Sequence, residues 1–215
     1  MKTKTFSPTA LTYTSLNNVY ECLNRELFSG SLPPCLITMQ RHSSAYGFFS
    51  GDRFANTSNP EDVADEIALN PVHFAGRKPA QVLSTLVHEM THLWQHHYGD
   101  RPRKSYHNKQ WVAKMREIGL IPTDTGEIGG KETGQKVSHL IDEHGRFAKV
   151  VTAFLQKHPA ILYQDQRSEN DVIRKKKAAS KTKYTCPSCG LNAWAKPEAS
   201  LVCGDCKKRM RYENI

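Results

Sequence analysis

No stretch of the 215-residue chain is apolar for long enough to cross a bilayer, and Met1-Lys2-Thr3-Lys4-Thr5-Phe6 lacks the apolar region of a secretion signal. A soluble cytoplasmic protein is therefore expected, and no membrane partner. No internal repeat is present, which excludes a repeat array. Acidic residues are few beside basic ones, 21 Asp and Glu against 30 Lys and Arg, giving a net charge of +9. The imbalance is local: residues 1–166 carry a net +2 and residues 167–215 a net +7. A cationic tail on a near-neutral body suggests a polyanion partner, most often nucleic acid; charge alone fits a solubilising tail equally well.

Between Pro79 and Tyr98 neither Gly nor an inner Pro interrupts the chain. Pro79 suits a first helical position and Gly99 a stop. At 100° per residue, Val82, Leu83, Leu86, Val87, Met90, Leu93 and Trp94 fill one arc, and His88 and His92 fall opposite, one turn apart. Two imidazoles so spaced reach a single point outside the helix. That is the geometry of two ligands on one zinc ion, with Glu89 beside it to take a proton from water. A solvated His pair on a polar helix face has the same spacing, so a third ligand decides.

Two variants of the motif can be separated by counting. The metzincin pattern requires Gly and His where Gln95 and Tyr98 stand, and it fails. A gluzincin-like site would take Glu117, on the polar side of a second amphipathic segment built on Trp111, Val112, Met115 and Ile118 and closed by Gly119. The other candidate is His107, at the start of that segment and separated from His92 by fourteen residues.

Six cysteines without a secretion signal are expected to be reduced or metal-bound. Cys22 and Cys35 stand alone among apolar neighbours and read as small buried hydrophobes. Cys186-Pro187-Ser188-Cys189 and Cys203-Gly204-Asp205-Cys206 form two C-x2-C pairs thirteen residues apart, the spacing of a four-thiolate structural zinc site. The residues between them suit a short hairpin with Trp194 as apolar plug. A module this small needs a metal to fold. Lys207, Lys208, Arg209 and Arg211, with Trp194 and Tyr184 nearby, could contact phosphates and stack on a base.

Residues 122–135 read as a loop. Val137 to Ile141 suggests a strand, and Phe147, Val150, Val151, Phe154 and Leu155 a helical face. His139 and His144 lack ligand-like spacing and read as structural or surface residues. Residues 164–183, with Arg174-Lys175-Lys176-Lys177, read as a basic linker.

Several of these motifs together resemble the SprT-like (Spartan-related) family of zinc metalloproteases. Residues 20–33 look like its opening helix and F-x-G-x-L-P turn, ending Phe28-Ser29-Gly30-Ser31-Leu32-Pro33. Ala45-Tyr46-Gly47-Phe48-Phe49 and Glu66-Ile67-Ala68-Leu69-Asn70-Pro71 resemble its two strand motifs. His88-Glu89-Met90-Thr91-His92 follows, and then His107 with Trp111 four residues on, so the likeness covers roughly residues 11 to 121. The resemblance implies His107 as third ligand, and a C-terminal zinc ribbon recurs in the family.

The expectation is thus an α+β chain. A zincin-like core at residues 1–121, with helices on a small antiparallel sheet, precedes an accessory strand and helix at 122–163, the linker, and a β-type zinc ribbon at 184–215. It would hold one catalytic zinc (His88, His92, His107, with Glu89 as base) and one structural zinc (Cys186, Cys189, Cys203, Cys206). The family likeness implies a metalloendopeptidase acting on proteins bound or crosslinked to DNA, and a monomer is expected. A nucleic-acid-binding scaffold with an inactive core, and a zinc hydrolase of non-peptide substrates, are the alternatives.

Overall fold

The computed structural model describes residues 7–103, 106–158, 163–166 and 182–212. The basic tract at 174–181, the opening hexapeptide and Ser105 lie outside them. The chain forms two compact units, Met1–Gln166 and Arg167–Ile215. Among the described residues no helix is long and apolar enough to cross a membrane.

The larger unit begins with α1 (Pro8–Phe28), whose N-cap Ser7 accepts a hydrogen bond from the Ala10 N–H, and which ends at Ser29 in the left-handed conformation. The turn after it is locked by Asn24, which donates to the Leu32 carbonyl and accepts from the Leu32 N–H. Strands β1 (Leu36–Met39), β2 (Gly47–Asn56) and β3 (Asn59–Leu69) form one sheet in the order β1-β3-β2. β2 and β3 are an antiparallel hairpin, whereas β1 runs parallel to β3, so the sheet is mixed and not antiparallel as expected. The reason lies in β3, whose buried end, Asp65 to Leu69, takes the middle. The hairpin then occupies one side of β3, and β1 must pair on the other, where the intervening β2 serves as its crossover.

A 3-10 turn (Pro71–His73) leads to α2 (Pro79–Tyr98), bounded by Lys78 and Gly99 as the Pro and Gly signals indicated. Its apolar arc is buried: Val82, Leu83, Leu86, Val87, Met90 and Leu93 enter one core with Leu23 and Leu27 of α1 and Ile67 and Leu69 of β3. α3 (Lys109–Ile118) lays Trp111, Met115 and Ile118 on the same core and stops at Gly119, with φ +97. A β-carbon at Gly119 would meet the Arg146 N and Gly145 Cα at about 3 Å, so the close approach and the positive φ both require glycine.

The chain then forms β4 (Leu120–Thr123), which the loop reading of residues 122–135 overlooked, paired with β5 (Ser138–Ile141), and ends in α4 (Arg146–Leu155). Phe147, Val151 and Phe154 belong to the same core as α1 and α2, so α4 packs within this unit. The Asp165 N–H donates to the Pro71 carbonyl at 3.2 Å, and its carboxylate pairs with Arg41, so ordered packing extends past the expected start of the linker. Cys22 and Cys35 are half-buried against the core. Burial pushes the Cys35 thiol up to about 12.

The smaller unit is a three-stranded antiparallel sheet, β6 (Thr182–Thr185), β7 (Asn192–Ala195) and β8 (Arg211–Tyr212), in the order β7-β6-β8.

Candidate metal centre

Helical periodicity alone brings His88 and His92 side by side on α2; the third imidazole arrives by a separate construction. His107 does not start α3 but precedes its N-cap, Asn108. It is held in a two-way bridge, its N–H donating to the Gly134 carbonyl at 2.8 Å and its carbonyl accepting from the Gly134 N–H at 3.1 Å. Asn108 Oδ1 accepts from the Trp111 N–H at 3.0 Å and from Gln95 Nε2 at 2.7 Å, tying the cap to α2. The result is convergence: His107 Nε2 lies 3.2 Å from His92 Nε2 and 3.2 Å from His88 Nε2. A tetrahedral ion with bonds of about 2.0 Å separates its donors by about 3.3 Å. Both edges that meet at His107 Nε2 already stand near that spacing, and the three nitrogens lie within 4.8 Å of one another.

The hydrogen-bond network around them fixes which nitrogen carries a proton. The Ser84 hydroxyl donates to the Gln81 carbonyl at 2.9 Å, so toward His139 Nε2, at 2.8 Å, it must accept. His139 therefore bears its proton on Nε2 and offers the Nδ1 lone pair to His88 Nδ1–H, 3.2 Å away. That leaves His88 Nε2 unprotonated. His107 Nδ1–H donates to the Gly134 carbonyl at 2.9 Å and frees its own Nε2 in the same way. Outer partners of this kind orient metal-binding imidazoles and raise their basicity.

The electrostatics agree. Burial, followed by the neighbouring imidazoles, holds His88 well below the usual histidine range. Burial and then His107 bring His92 down to about 3. His107 is lowered by burial, against the opposing hydrogen bond to Gly134. His139 is lowered to about 4 by burial, then by Arg77 and His107. All four are neutral near pH 7, the form that ligates. Trp111 closes one side, its ring centroid 4.8, 5.2 and 4.4 Å from those of His88, His92 and His107.

Glu89 is 6% exposed, and burial pushes its carboxyl up to about 8. A dication beside it would act in the opposite sense. Gly47, first residue of β2, lets the strand pass close: a β-carbon there would stand 2.8 Å from the Ala68 carbonyl and 3.4 Å from Glu89 Cγ. Glu117, the rival third ligand, is instead paired with Lys114 at 3.0 Å and Arg146 at 3.5 Å on the surface. His144 is exposed, and Tyr106 lies under the Arg103 guanidinium at 4.7 Å.

In the smaller unit, the four thiols of Cys186, Cys189, Cys203 and Cys206 gather within 4.8 Å of one another, Cys189 Sγ and Cys203 Sγ being 3.7 Å apart. A tetrahedral ion with bonds to sulfur of about 2.3 Å spaces its donors by about 3.8 Å. The two turns are built alike: Gly190 N–H donates to the Cys186 carbonyl at 3.0 Å and Lys207 N–H to the Cys203 carbonyl at 2.9 Å, with φ +73 at Gly190 and +53 at Lys207. Backbone N–H groups of Cys189 and Ser188 draw the Cys186 thiol down to about 7. The plug is Tyr184, fully buried with Met210 and donating to the Lys196 carbonyl at 2.8 Å, and not Trp194, which is 61% exposed. Tyr184 is thereby removed from any base-stacking role. Lys183 pairs with Trp194 and Thr185 with Arg211, so Lys183, Trp194 and Arg211 share the outer face. Lys207, Lys208 and Arg209 are exposed as well.

The sequence profile of the SprT-like family matches residues 16–128, which include α1 from Leu16 onward, the mixed sheet, His88, Glu89, His92 and His107. The chain belongs to the SprT-like family. It is also 47% identical over 60 residues to the Salmonella typhimurium "Uncharacterized protein in mucB 3'region", a stretch covering 28% of this chain and 80% of that protein. No solved structure matches significantly. Membership supports a zinc-dependent hydrolase of metallopeptidase type. In this SprT-like chain His139 is the residue that sequence reading passed over. It sits 51 positions from His88, and only the pairing of β4 with β5 brings the two together.

Proposed function

We propose that this SprT-like protein is a zinc-dependent metalloendopeptidase that cleaves proteins held on DNA. The observation that carries the reading is the convergence of the His88 and His92 Nε2 atoms on His107 Nε2 at tetrahedral-edge spacing, with buried Glu89 next to His88 on the same helix. Zinc held by the three imidazoles supplies Lewis acidity toward a peptide carbonyl and toward water. Glu89 would receive the proton of the attacking water at its carboxylate and return it to the leaving amine. His139 and the Gly134 carbonyl hold the imidazoles in the tautomer that leaves Nε2 free.

A peptide substrate is favoured over other hydrolysable groups by β2. It is the outer strand of its sheet, and its first residue, Gly47, abuts Glu89. An extended polypeptide pairing with that edge would run beside the base. The second unit would be a zinc ribbon, with the outer face of Lys183, Trp194 and Arg211 meeting phosphates and stacking on an unpaired base. The smaller unit also carries most of the net charge, so co-localisation on DNA would select the substrates. The test is incubation of the pure full-length protein with a basic DNA-binding protein, with and without single-stranded DNA and across salt. Cleavage stimulated by DNA at low salt and lost at high salt is expected; equal rates with and without DNA would reject the DNA-linked part.

A further inference from the structure

The last turn of α2 carries a second group of donors that the three-histidine centre does not use. His96 follows His92 by one turn, and His97 is next to it; both meet Asp65 from β3, and His96 also meets Asp52 from β2. His97 Nε2 lies 2.6 Å from Asp65 Oδ2. His96 Nε2 lies 3.2 Å from Asp52 Oδ2 and 3.9 Å from Asp65 Oδ1. These separations bracket the edge of about 3.3 Å expected for a tetrahedral ion with bonds of about 2.0 Å.

The backbone is shaped to make this meeting. The β2–β3 register breaks between Ser50 and Phe54, and within that break Asp52 adopts φ +51, uncommon for a residue with a side chain. Such irregularities re-aim side chains, here the Asp52 carboxylate toward His96. Gly51 has no side chain because a β-carbon there would overlap the His96 ring. Phe49 packs its ring against the same imidazole, 5.5 Å between centroids. The Asp52 N–H donates to Asp65 Oδ1 at 2.8 Å and fixes that carboxylate, which is 5% exposed.

Ion pairing alone leaves the cluster incomplete. His96 Nε2 is shut off from solvent yet makes no hydrogen bond, because Asp52 Oδ2, although near, is not placed to accept one. A buried imidazole nitrogen without a partner is costly. A cation between these groups would satisfy the nitrogen and both carboxylates at once, and the C-terminal end of a helix favours positive charge. We propose that Asp65, His96 and His97, with Asp52 as fourth donor, form a further divalent-metal site. Two imidazoles and two carboxylates suit zinc or a similar first-row ion, and four protein donors make a closed, structural site. Its work would be to clamp the irregular segment of β2 and β3 to the end of α2. The proposal is independent of the protease reading.

Zinc counting tests it on the full-length chain. Wild type, Asp52→Asn, His97→Ala, His92→Ala and Cys186→Ser are dialysed against a weak chelator, reloaded with zinc, and analysed for metal per chain. Asp52→Asn or His97→Ala is expected to lose about one zinc, additively with the separate losses in His92→Ala and Cys186→Ser. Should His97→Ala fail to fold, Asp52→Asn keeps the test, since that side chain is 55% exposed; its affinity for the third zinc should fall at least about tenfold. Zinc content unchanged in both variants, with destabilisation equal in the presence and absence of zinc, would show an ion-pair network only and overturn the proposal.

Discussion

His139 Nδ1 lies 3.2 Å from His88 Nδ1, and through Ser84 it carries a hydrogen-bond chain back to the Gln81 carbonyl of α2. This chain sets the His88 tautomer, so its loss should be felt in metal binding and not in folding. His139→Ala is expected to weaken zinc retention at the three-histidine site by about 10–100-fold, with the circular dichroism spectrum unchanged. Competition with a chromophoric chelator measures it, and an unchanged affinity would show that His139 only fills space.

Acid should unfold the larger unit when its zinc is removed. In the unfolded chain the imidazoles titrate near 6.5, whereas burial holds His92 at about 3 and His139 at about 4, with His88 and His107 also lowered. As pH falls the unfolded state therefore takes up protons first. The stability is present in full above about pH 6.5 and is lost progressively toward the folded-state values. Thermal melts of chelator-treated protein from about pH 7.5 to about pH 4.5 should show a falling midpoint, less steep in His139→Gln. A flat profile would contradict the assignment of four neutral buried imidazoles.

The two aromatic residues of the smaller unit should part company. Tyr184→Ala removes the buried plug and should release the cysteine-bound metal, since so small a core depends on both. Trp194→Ala should keep metal and fold but weaken single-stranded DNA binding by about 1–3 kcal/mol, the worth of one stacked base. Fluorescence anisotropy with a labelled oligonucleotide separates them. Equal binding by wild type and Trp194→Ala would remove the stacking role.

Each unit has its own buried cluster, so a chain ending at Gln166 should fold and keep the three-histidine site. Cooperative melting and zinc-dependent stabilisation that is lost in His92→Ala are the expected readouts; aggregation would mean that the larger unit depends on the smaller.

How much of this was legible in the sequence varies with how local the determining physics is. α2 was readable because its apolar arc and its Pro79 and Gly99 ends are local signals, and three-histidine convergence followed from spacing plus the family likeness. β4 was hidden because Leu120–Thr123 contains Pro122, which is tolerated only where a strand has a free edge, as in this two-stranded sheet. With β4 unread, the β4–β5 pairing that carries His139 over α2 could not be placed. The parallel pairing of β1 depends on β3 taking the middle, a property of the whole sheet. The choice of Tyr184 over Trp194 is a facing decision in strands of four residues, where one step exchanges inside for outside. Asp52 reaches His96 only through a break in register, which no periodicity announces.

The ligand choice can be settled by a pair of variants. His107→Ala should lose the zinc of the three-histidine site, and Glu117→Ala, whose carboxylate is bound up with Lys114 and Arg146 on the surface, should keep it. Metal analysis with the reverse outcome would move the third ligand to Glu117.

The central claim is that Glu89 is the base of a zinc-dependent peptidase. Its most direct test is side-by-side turnover and metal content for wild type and Glu89→Gln with a basic DNA-binding protein as substrate, in the presence of single-stranded DNA. Wild type should cleave, and Glu89→Gln should hold the same zinc while losing cleavage by a factor of about 10²–10⁴, because the amide cannot accept the proton of water. Undiminished cleavage by Glu89→Gln, or no cleavage by zinc-loaded wild type, would contradict it.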